Sequence, residues 1–280
     1  MARHIRLRDL VFGIEGLAIS RNLFDGDMDF VRARVEEIGS LASRLDEAPL
    51  SLGMDVAELD PVEGYAGWSE SYDSGGNPLI ETEEPVVRSI LDRLDPGAAL
   101  DAACGTGRHG AYLTALGHRV VGVDQSEHML AVARSKTADI EYRTGTLTAL
   151  PIGDSEMDLA VCSLALTHVT DLGPAITELA RVVRPGGRVV LSDIHPGLVM
   201  VTGQALFPTP DGRIAYVRNH HHAVGEYLAA FRAARLEVLD CQEPRYGKIP
   251  PNQFTAMIPE AAEAAWDGLP AALVWDLMVA

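Results

Sequence analysis

The sequence predicts an α/β protein built on a doubly wound, mostly parallel sheet. Short apolar segments alternate with segments of helical periodicity, and the first of these predicted strands lie at 98–102, 119–123, 140–144 and 156–163. A glycine-rich turn, Gly105-x-Gly107-x-x-Gly110, joins the first strand to a helix, where glycines let a ligand approach the backbone. Asp124 follows the second strand about twenty residues later, where an acid can hold a ribose diol. Together these features predict a nucleoside-bearing cofactor.

The N-terminal part of the chain predicts two amphipathic helices within residues 5–47. Apolar residues recur at spacings of three and four on both sides of a polar break, and Asp27 can cap the second helix. Such a hairpin has no core of its own, so it must pack on the main domain, as a brace or a lid, or form a homodimer. We therefore divide the chain into a helical extension at 1–60 and a sheet domain at 61–280.

The connection between these two parts is rich in Pro, Gly, Ser and acidic residues over 48–78, and its aromatic residues are Tyr65, Trp68 and Tyr72. A helix at 80–94 then leads into the sheet. The later elements are a helix at 127–135 capped by Ser126, a helix at 172–183, a turn at 184–188, a strand at 189–192, a helix at 222–234, and strands at 236–241 and 272–279.

The composition excludes several classes of protein. The 280 residues can bury one substantial core, and no apolar run reaches the roughly 20 residues of a membrane helix. Arg8, Asp9 and Glu15 interrupt the apolar N-terminal stretch, which argues against a signal peptide. A formal net charge of −17 argues against an enzyme that works on nucleic acid. We expect a cytoplasmic protein that acts on a small molecule, without a nucleic-acid or membrane partner.

An acid beside the glycine turn favours one kind of cofactor. Asp101 would repel the pyrophosphate of a dinucleotide, whereas S-adenosylmethionine has no phosphate and offers a sulfonium and an ammonium group. The sequence therefore favours S-adenosylmethionine. A nicotinamide-dependent oxidoreductase, which shares the glycine pattern, is the less favoured alternative.

The two motifs Asp101-Ala-Ala-Cys-Gly-Thr-Gly and Val121-Gly-Val-Asp124 resemble those of the class I S-adenosylmethionine-dependent methyltransferases. This resemblance implies a Rossmann-like sheet of seven strands in which the last is antiparallel. The family usually has a glycine where this chain has Ala103, a change that we expect to cause crowding without loss of binding. An acceptor-pocket insertion around 196–220 is also implied, because similar families carry substrate-recognition segments there.

The resemblance and the strand ends together predict a set of cofactor-binding residues. Met129 could support the adenine ring, with core packing as the alternative, and Thr146 stands where the family often has an aspartate. Ser163 and Leu164 follow a strand end, where open parallel sheets bind their ligands. The full predicted set is Tyr72, Asp101, Ala103, Gly105, Gly107, Asp124, Gln125, Met129, Thr146, Leu147, Ser163 and Leu164.

The expected chemistry is in-line transfer of a methyl group to a small-molecule acceptor, such as a specialised metabolite. The protein mainly positions the reactants and excludes water, and a base is needed when the acceptor must lose a proton. His168 and His195 follow strand ends and are the candidate bases, although either could be a structural hydrogen-bonding group. A protein that binds S-adenosylmethionine without methyl transfer is a further alternative.

A metal site is not expected. The run His220 to His222 cannot direct three consecutive side chains at one ion on a regular element, and no Cys or His partner stands at ligand spacing.

Overall fold

The computed structural model describes residues 3–24, 26–69, 72–73, 75–201, 204–209, 211–250, 252 and 254–280. The strands are β1 (Arg3–Arg6), β2 (Gly53–Leu59), β3 (Ala98–Ala102), β4 (Arg119–Asp124), β5 (Glu141–Thr144), β6 (Met157–Ser163), β7 (Val183–Ile194), β8 (Ala205–Pro208), β9 (Ile214–Val217), β10 (Leu236–Gln242) and β11 (Ala272–Val279). The α-helices are α1 (Leu7–Asn22), α2 (Met28–Ala42), α3 (Pro61–Trp68), α4 (Pro78–Leu91), α5 (Arg108–Ala115), α6 (Glu127–Lys136), α7 (Leu172–Val182), α8 (Pro196–Val201), α9 (Val224–Ala233) and α10 (Pro259–Trp266).

The main sheet of the described chain has seven strands in the order β10-β11-β7-β6-β3-β4-β5. Strand β11 is antiparallel to both of its neighbours, and the pairs from β7 to β5 are parallel. The predicted fold class is therefore confirmed. The chain runs outward from β3 to β5 and returns to place β6 on the other side of β3. This reversal of strand order opens a crevice at the carboxyl ends of β3 and β6, where open α/β sheets bind ligands.

Strand β7 begins earlier than the sequence predicts. The predicted turn at 184–188 lies inside the strand, because Val183 pairs with Met157 and Arg188 pairs with Leu159. The segment between these pairs is accommodated as a register shift, with Gly186 at φ +75°. The glycines thus form an irregularity within the strand, and the prediction of a separate turn is wrong.

A second sheet, in the order β1-β2-β9-β8, was not expected from the sequence. Strand β2 lies in the segment 48–78 that we interpreted as a connection, and it pairs in parallel with β9. Strands β8 and β9 form an antiparallel hairpin within the predicted insertion at 196–220. The second sheet therefore joins the predicted N-terminal extension to that insertion. The domain boundary near residue 60 stays a prediction.

The N-terminal hairpin packs on the C-terminal part of the same chain. Helices α1 and α2 occur where the sequence predicts them, and Val11 and Ala18 share a buried cluster with Ala261 of α10. The Arg21 guanidinium donates hydrogen bonds to the carbonyl oxygens of Ala264, Ala265 and Asp267 at 2.8–2.9 Å. The hairpin therefore buries an apolar face within its own chain, and a homodimer stays a prediction. Within the described ranges, no helix is long and apolar enough to cross a bilayer.

Glu15 introduces a buried carboxyl group into this hairpin. Its side chain is fully buried, neither of its oxygens has a hydrogen-bond partner among the described residues, and the nearest cation is Arg34 at 3.7 Å. Burial raises the pKa of Glu15 from its ordinary value of 4.5 to about 7, against the opposing effect of Arg34. The folded protein therefore holds a proton here that the unfolded chain releases.

This pKa shift predicts a pH-dependent stability. The contribution of Glu15 is fully present below pH 4.5 and is lost as the pH rises through about 7, because the buried carboxylate must then ionise. Glu15→Gln should remove this loss. Melting temperatures measured across that range should fall less with rising pH in Glu15→Gln than in the wild type. Glu36→Gln, which removes an exposed carboxylate of α2, is the control. Parallel pH profiles for wild type and Glu15→Gln would contradict the assignment.

Candidate functional site

The glycine turn after β3 is closed by its own hydrogen bonds. The Gly105 N–H donates to Oδ2 of Asp124 at 2.9 Å, the Gly107 N–H donates to the Cys104 carbonyl at 2.9 Å, and the Gly110 N–H donates to Oδ2 of Asp101 at 2.7 Å. Gly105 and Gly107 have φ values of +53° and +81°, which favour glycine. A Cβ at Gly107 would also lie 2.7 Å from the Tyr142 hydroxyl oxygen.

These hydrogen bonds add a second reason for which the site favours a phosphate-free cofactor. Asp101 does not line the crevice: it is 2% exposed and its carboxylate caps Gly110 at the start of α5. Burial raises the pKa of Asp101 to about 6. Asp101 therefore lies behind the turn and outside the cavity wall, and its selection of the cofactor by charge stays a prediction. In addition, the N–H groups of all three glycines have partners inside the protein, so none of them is free to cradle a pyrophosphate.

A first cavity of about 270 Å³ opens at the carboxyl ends of β3, β4 and β6. The cavity brings together most of the residues predicted to bind the cofactor, whereas Asp101 and Gly107 lie outside it. The predicted residues that line it are Tyr72, Ala103, Gly105, Asp124, Gln125, Met129, Thr146, Leu147, Ser163 and Leu164. His168 lines it as well, and so do Pro61, Tyr65 and Ser126, which were not predicted.

Two residues at the rim of this cavity have strained backbones. Ala103 has φ +53° and Leu164 has φ +54°, in the left-handed region that side chains disfavour. Such a conformation costs on the order of 1–3 kcal/mol per residue. The consequence of Ala103 in place of the usual glycine is therefore backbone strain, and the expectation of simple crowding is corrected.

The polar groups of the cavity are suited to a nucleoside attached to a charged amino-acid end. The Asp124 carboxylate accepts hydrogen bonds from Gly105 and Ser126, at 2.9 and 2.8 Å, and retains lone pairs for a diol. The Ser163 hydroxyl is buried without a hydrogen-bond partner among the described residues. A Cβ on Gly105 would project into open space. Met129 is 2% exposed and lines the cavity, so it serves in both core packing and the cavity wall.

The sequence and the fold are similar to those of known proteins. The family described as a methyltransferase domain matches residues 100–191. The malonyl-[acyl-carrier protein] O-methyltransferase of Yersinia pestis is 36% identical over 170 residues, which are 59% of this chain and 63% of that protein. A crystal structure of an S-adenosylmethionine-dependent methyltransferase from Mesorhizobium loti is 25% identical, with a TM-score of 0.54, and the match covers 70% of this chain and 97% of that one.

Residues 100–191 therefore form a domain of the class I S-adenosylmethionine-dependent methyltransferase type. S-adenosylmethionine is the cofactor of this class, and the first cavity provides groups that suit it. A demethylmenaquinone methyltransferase from Renibacterium salmoninarum is 37% identical over 113 residues, which are 39% of this chain and 48% of that protein. The chain thus spans less than two thirds of either curated relative.

A second cavity of about 400 Å³ adjoins the first. The two share Tyr65, Tyr72, Leu164 and His168 as walls. The insertion that the sequence places around 196–220 also lines it, through residues that include Leu198, Gln204, Leu206 and Asn219.

The two cavities meet beside a hydrogen-bonded pair, Tyr65 and His168. Nδ1 of His168 lies 3.1 Å from the carbonyl oxygen of Arg218, which can only accept, so Nδ1 carries the proton. Nε2 therefore accepts the hydrogen bond that the Tyr65 hydroxyl donates at 2.7 Å. Burial lowers the pKa of His168 below 6.5 and raises the pKa of Tyr65 above 10. Both side chains are consequently neutral at neutral pH.

His195, the other candidate base, lies elsewhere. It lines neither cavity, its Nδ1 accepts from the Gly197 N–H at 3.1 Å, and its Nε2 donates to Glu243 at 3.1 Å. His195 follows β7, as the sequence predicts, but its side chain is engaged at the start of α8, and its role as a base stays a prediction. Among the described residues no group of three or more His, Cys, Asp or Glu is arranged to hold a metal. His222 instead contacts the Val169 carbonyl.

The role of α3 could have been read from the sequence. Asp60 accepts the Glu63 N–H at 3.0 Å as an N-cap, and Pro61 occupies the first turn, which together are a recognisable start signal. Tyr65, Trp68 and Tyr72 follow at helical spacing and contact one another edge-on or stacked. Asp73 then accepts a 3.0 Å hydrogen bond from Thr106 and pairs with Lys136, which ties the segment to the glycine turn.

A buried ion pair lies next to the glycine turn, at the first residue of α5. Glu83 of α4 is fully buried and accepts hydrogen bonds from Arg108, at 3.1 Å, and from the Ser192 hydroxyl. Burial alone would raise the pKa of Glu83, but His109 and Arg108 lower it to about 2. The carboxylate is therefore charged and links α4, α5 and β7.

Removing this carboxylate should destabilise the fold. Glu83→Ala leaves Arg108 as a poorly compensated buried cation, and we expect the free energy of unfolding to fall by about 3–5 kcal/mol. Glu84→Ala is the matched control, because Glu84 bonds the same guanidinium from a more exposed position and should cost less than about 1 kcal/mol. Urea unfolding measures both. Equal losses in the two variants would contradict the role of Glu83.

Proposed function

We propose that this protein transfers a methyl group from S-adenosylmethionine to a small, neutral and largely apolar acceptor that carries a hydroxyl group, as some specialised metabolites do. The observation that carries the proposal is the junction of two cavities at Tyr65, Tyr72, Leu164 and His168. A cofactor in the first cavity and an acceptor in the second would meet at these residues. In-line displacement requires such a meeting of reactants away from water.

In this proposal the first cavity holds the cofactor through residues of this chain. Asp124 would accept hydrogen bonds from the ribose diol, Met129 would lie against the adenine, and Ser163 would bond a polar group of the methionine end. Thr146 and the Leu147 N–H are the candidates for the adenine edge. S-adenosylmethionine, when bound, supplies an already activated methyl group on a sulfonium.

The nature of the acceptor follows from what lines the second cavity. Among its described lining residues there is no Lys, Arg, Asp or Glu, and aromatic and aliphatic side chains dominate. An acid group bound there would lack a cation to compensate its desolvation. The Yersinia pestis relative is named for a malonyl acceptor, which ends in a carboxylate. This cavity favours an uncharged acceptor instead.

Tyr65 and His168 would handle the proton that a hydroxyl acceptor must lose. The acceptor oxygen would donate to the Tyr65 oxygen while the Tyr65 proton moves to Nε2 of His168, so that His168 ends as an imidazolium. The Arg218 carbonyl keeps Nδ1 protonated and leaves Nε2 as the acceptor. The negative charge that develops on the acceptor oxygen is neutralised as this oxygen forms its bond to the methyl group.

Cofactor binding provides the first test. S-adenosylhomocysteine should bind in the micromolar range by isothermal titration, whereas NAD should bind far more weakly because the glycine N–H groups are occupied. Asp124→Ala should weaken S-adenosylhomocysteine by more than about tenfold, since it removes a charged hydrogen-bond acceptor. Glu127→Ala removes a nearby carboxylate that does not line the cavity, so this variant should bind S-adenosylhomocysteine as tightly as the wild type. Tighter binding of NAD, or unchanged binding by Asp124→Ala, would refute the assignment.

Methyl transfer provides the second test. When the protein is incubated with radiolabelled S-adenosylmethionine and a metabolite extract, an extractable acceptor should become labelled. If no acceptor is labelled, the protein binds the cofactor without transferring its methyl group. With that acceptor, His168→Ala should lower kcat by about 100-fold or more and Tyr65→Phe should also lower it. Wild-type activity should rise with pH through a pKa below 6.5 and then level off, because the base must be neutral. His168→Ala should lose this rise.

His195→Ala is the matched control for this series. His195 lines neither cavity, so the variant should retain the turnover and pH profile of the wild type. A larger loss in His195→Ala than in His168→Ala would reverse the assignment of the base.

A further inference from the structure

A third cavity, of about 640 Å³, lies between α1 and the C-terminal part of the chain. Its volume is within the range of small-molecule sites. On one side it is lined by Leu10, Ile14 and Leu17 of α1, and on the other by residues that include Tyr246 and Trp266.

Helix α1 buries one apolar stripe in the core and presents a second, partly exposed stripe to the cavity. Val11 and Ala18 are fully buried in the cluster shared with α10. Leu10, Ile14 and Leu17 recur at spacings of four and three, lie on one stripe of the helix, and remain half-buried along the cavity. Ile14 and Leu17 also pack in part against that cluster, and covering the apolar surface that stays exposed along this stripe would contribute about 25 cal/mol per Å².

The third cavity adjoins the second. Pro78, Leu198, Leu206 and Tyr246 line both. A ligand whose reactive group lies beside Tyr65 and His168 could therefore extend past these shared walls to α1.

Charged groups are scarce around the third cavity, and several of its polar groups are hydrogen-bonded within the protein. Asp9 is the one charged residue among its described lining residues, and its carboxylate accepts the Arg6 N–H at 2.9 Å. Asn252 and Thr255 bond to each other and to neighbouring backbone. The cavity thus has no unsatisfied cation for a phosphate or carboxylate, and apolar contact is what it offers.

We infer that the third cavity binds a hydrocarbon tail of the acceptor, so that the N-terminal helix forms part of the acceptor site. This inference rests on the proposed function for the identity of the bound molecule. The tail would cover the stripe of Leu10, Ile14 and Leu17, while the group to be methylated occupies the second cavity.

Tail binding can be measured without methyl transfer. The fluorescent apolar probe N-phenyl-1-naphthylamine is bound to the full chain and displaced by 1-hexanol, 1-octanol and 1-decanol. We expect affinity to rise about fourfold per added methylene, which corresponds to about 0.8 kcal/mol for each buried CH₂. Equal affinities for the three alcohols would overturn the inference.

Two glycines of α1 offer a matched pair of variants. A Cβ at Gly13 or at Gly16 would meet no atom within 4 Å, but only Gly13 lines the third cavity. Both substitutions replace a helical glycine, which favours the helix. Gly13→Phe should fill the cavity and weaken 1-decanol by about tenfold or more, whereas Gly16→Phe should leave its affinity unchanged. Equal 1-decanol affinities in the two variants would contradict the inference.

The same measurements separate this inference from the proposed function. S-adenosylhomocysteine should bind normally to both variants, which shows that they are folded. A protein that binds the alcohols in order of length but labels no acceptor would refute methyl transfer and retain the tail site. A protein that transfers methyl groups but binds the three alcohols with equal affinity would support methyl transfer and refute the tail site.

Discussion

The carboxylate of Asp124 ties together three elements that the rest of the site requires. It accepts the Gly105 N–H of the turn after β3 and the Ser126 N–H at the start of α6, while its own backbone ends β4. Asp101 fixes the far end of the turn through Gly110. These two buried acids therefore set the shape of the crevice before any ligand enters. They also occupy N–H groups that would otherwise attract phosphate, so the same bonds that build the crevice restrict its choice of cofactor.

The second sheet positions a side chain at the junction of the first and second cavities. Arg218, after β9, forms two hydrogen bonds with Glu58 of β2, at 2.6 and 2.7 Å, and its carbonyl oxygen holds Nδ1 of His168. Glu58 also accepts from Tyr216 at 2.6 Å. The tautomer of the histidine at the junction thus depends on strands far away in sequence. Residues near the N-terminus and in the insertion around 196–220 act together on one side chain.

The main sheet could be predicted largely from the sequence, because its strands are apolar and its turns carry glycine. Strands β3 and β11 have the predicted bounds. Strand β2 could not be found in this way, because it is half-buried and pairs with a strand about 160 residues later, and neither property leaves a strong periodic pattern. Side-chain roles were harder still. Asp101 and His195 were placed correctly at strand ends, but their hydrogen-bond partners, which the pattern does not contain, turn them away from the cavities.

Ala103, after β3, and Leu164, after β6, both line the first cavity, and each has a left-handed backbone although neither is a glycine. A residue with a side chain has fewer accessible backbone conformations than glycine. The backbone at Ala103 and Leu164 therefore loses little conformational entropy when a ligand binds. The entropic cost of ordering the site is therefore met during folding. Adaptation to acceptors of different shape must therefore come from other parts of the cavity walls. In related sequences we expect variation in α1, α8 and the β8–β9 hairpin, with Ala103 and Leu164 kept constant.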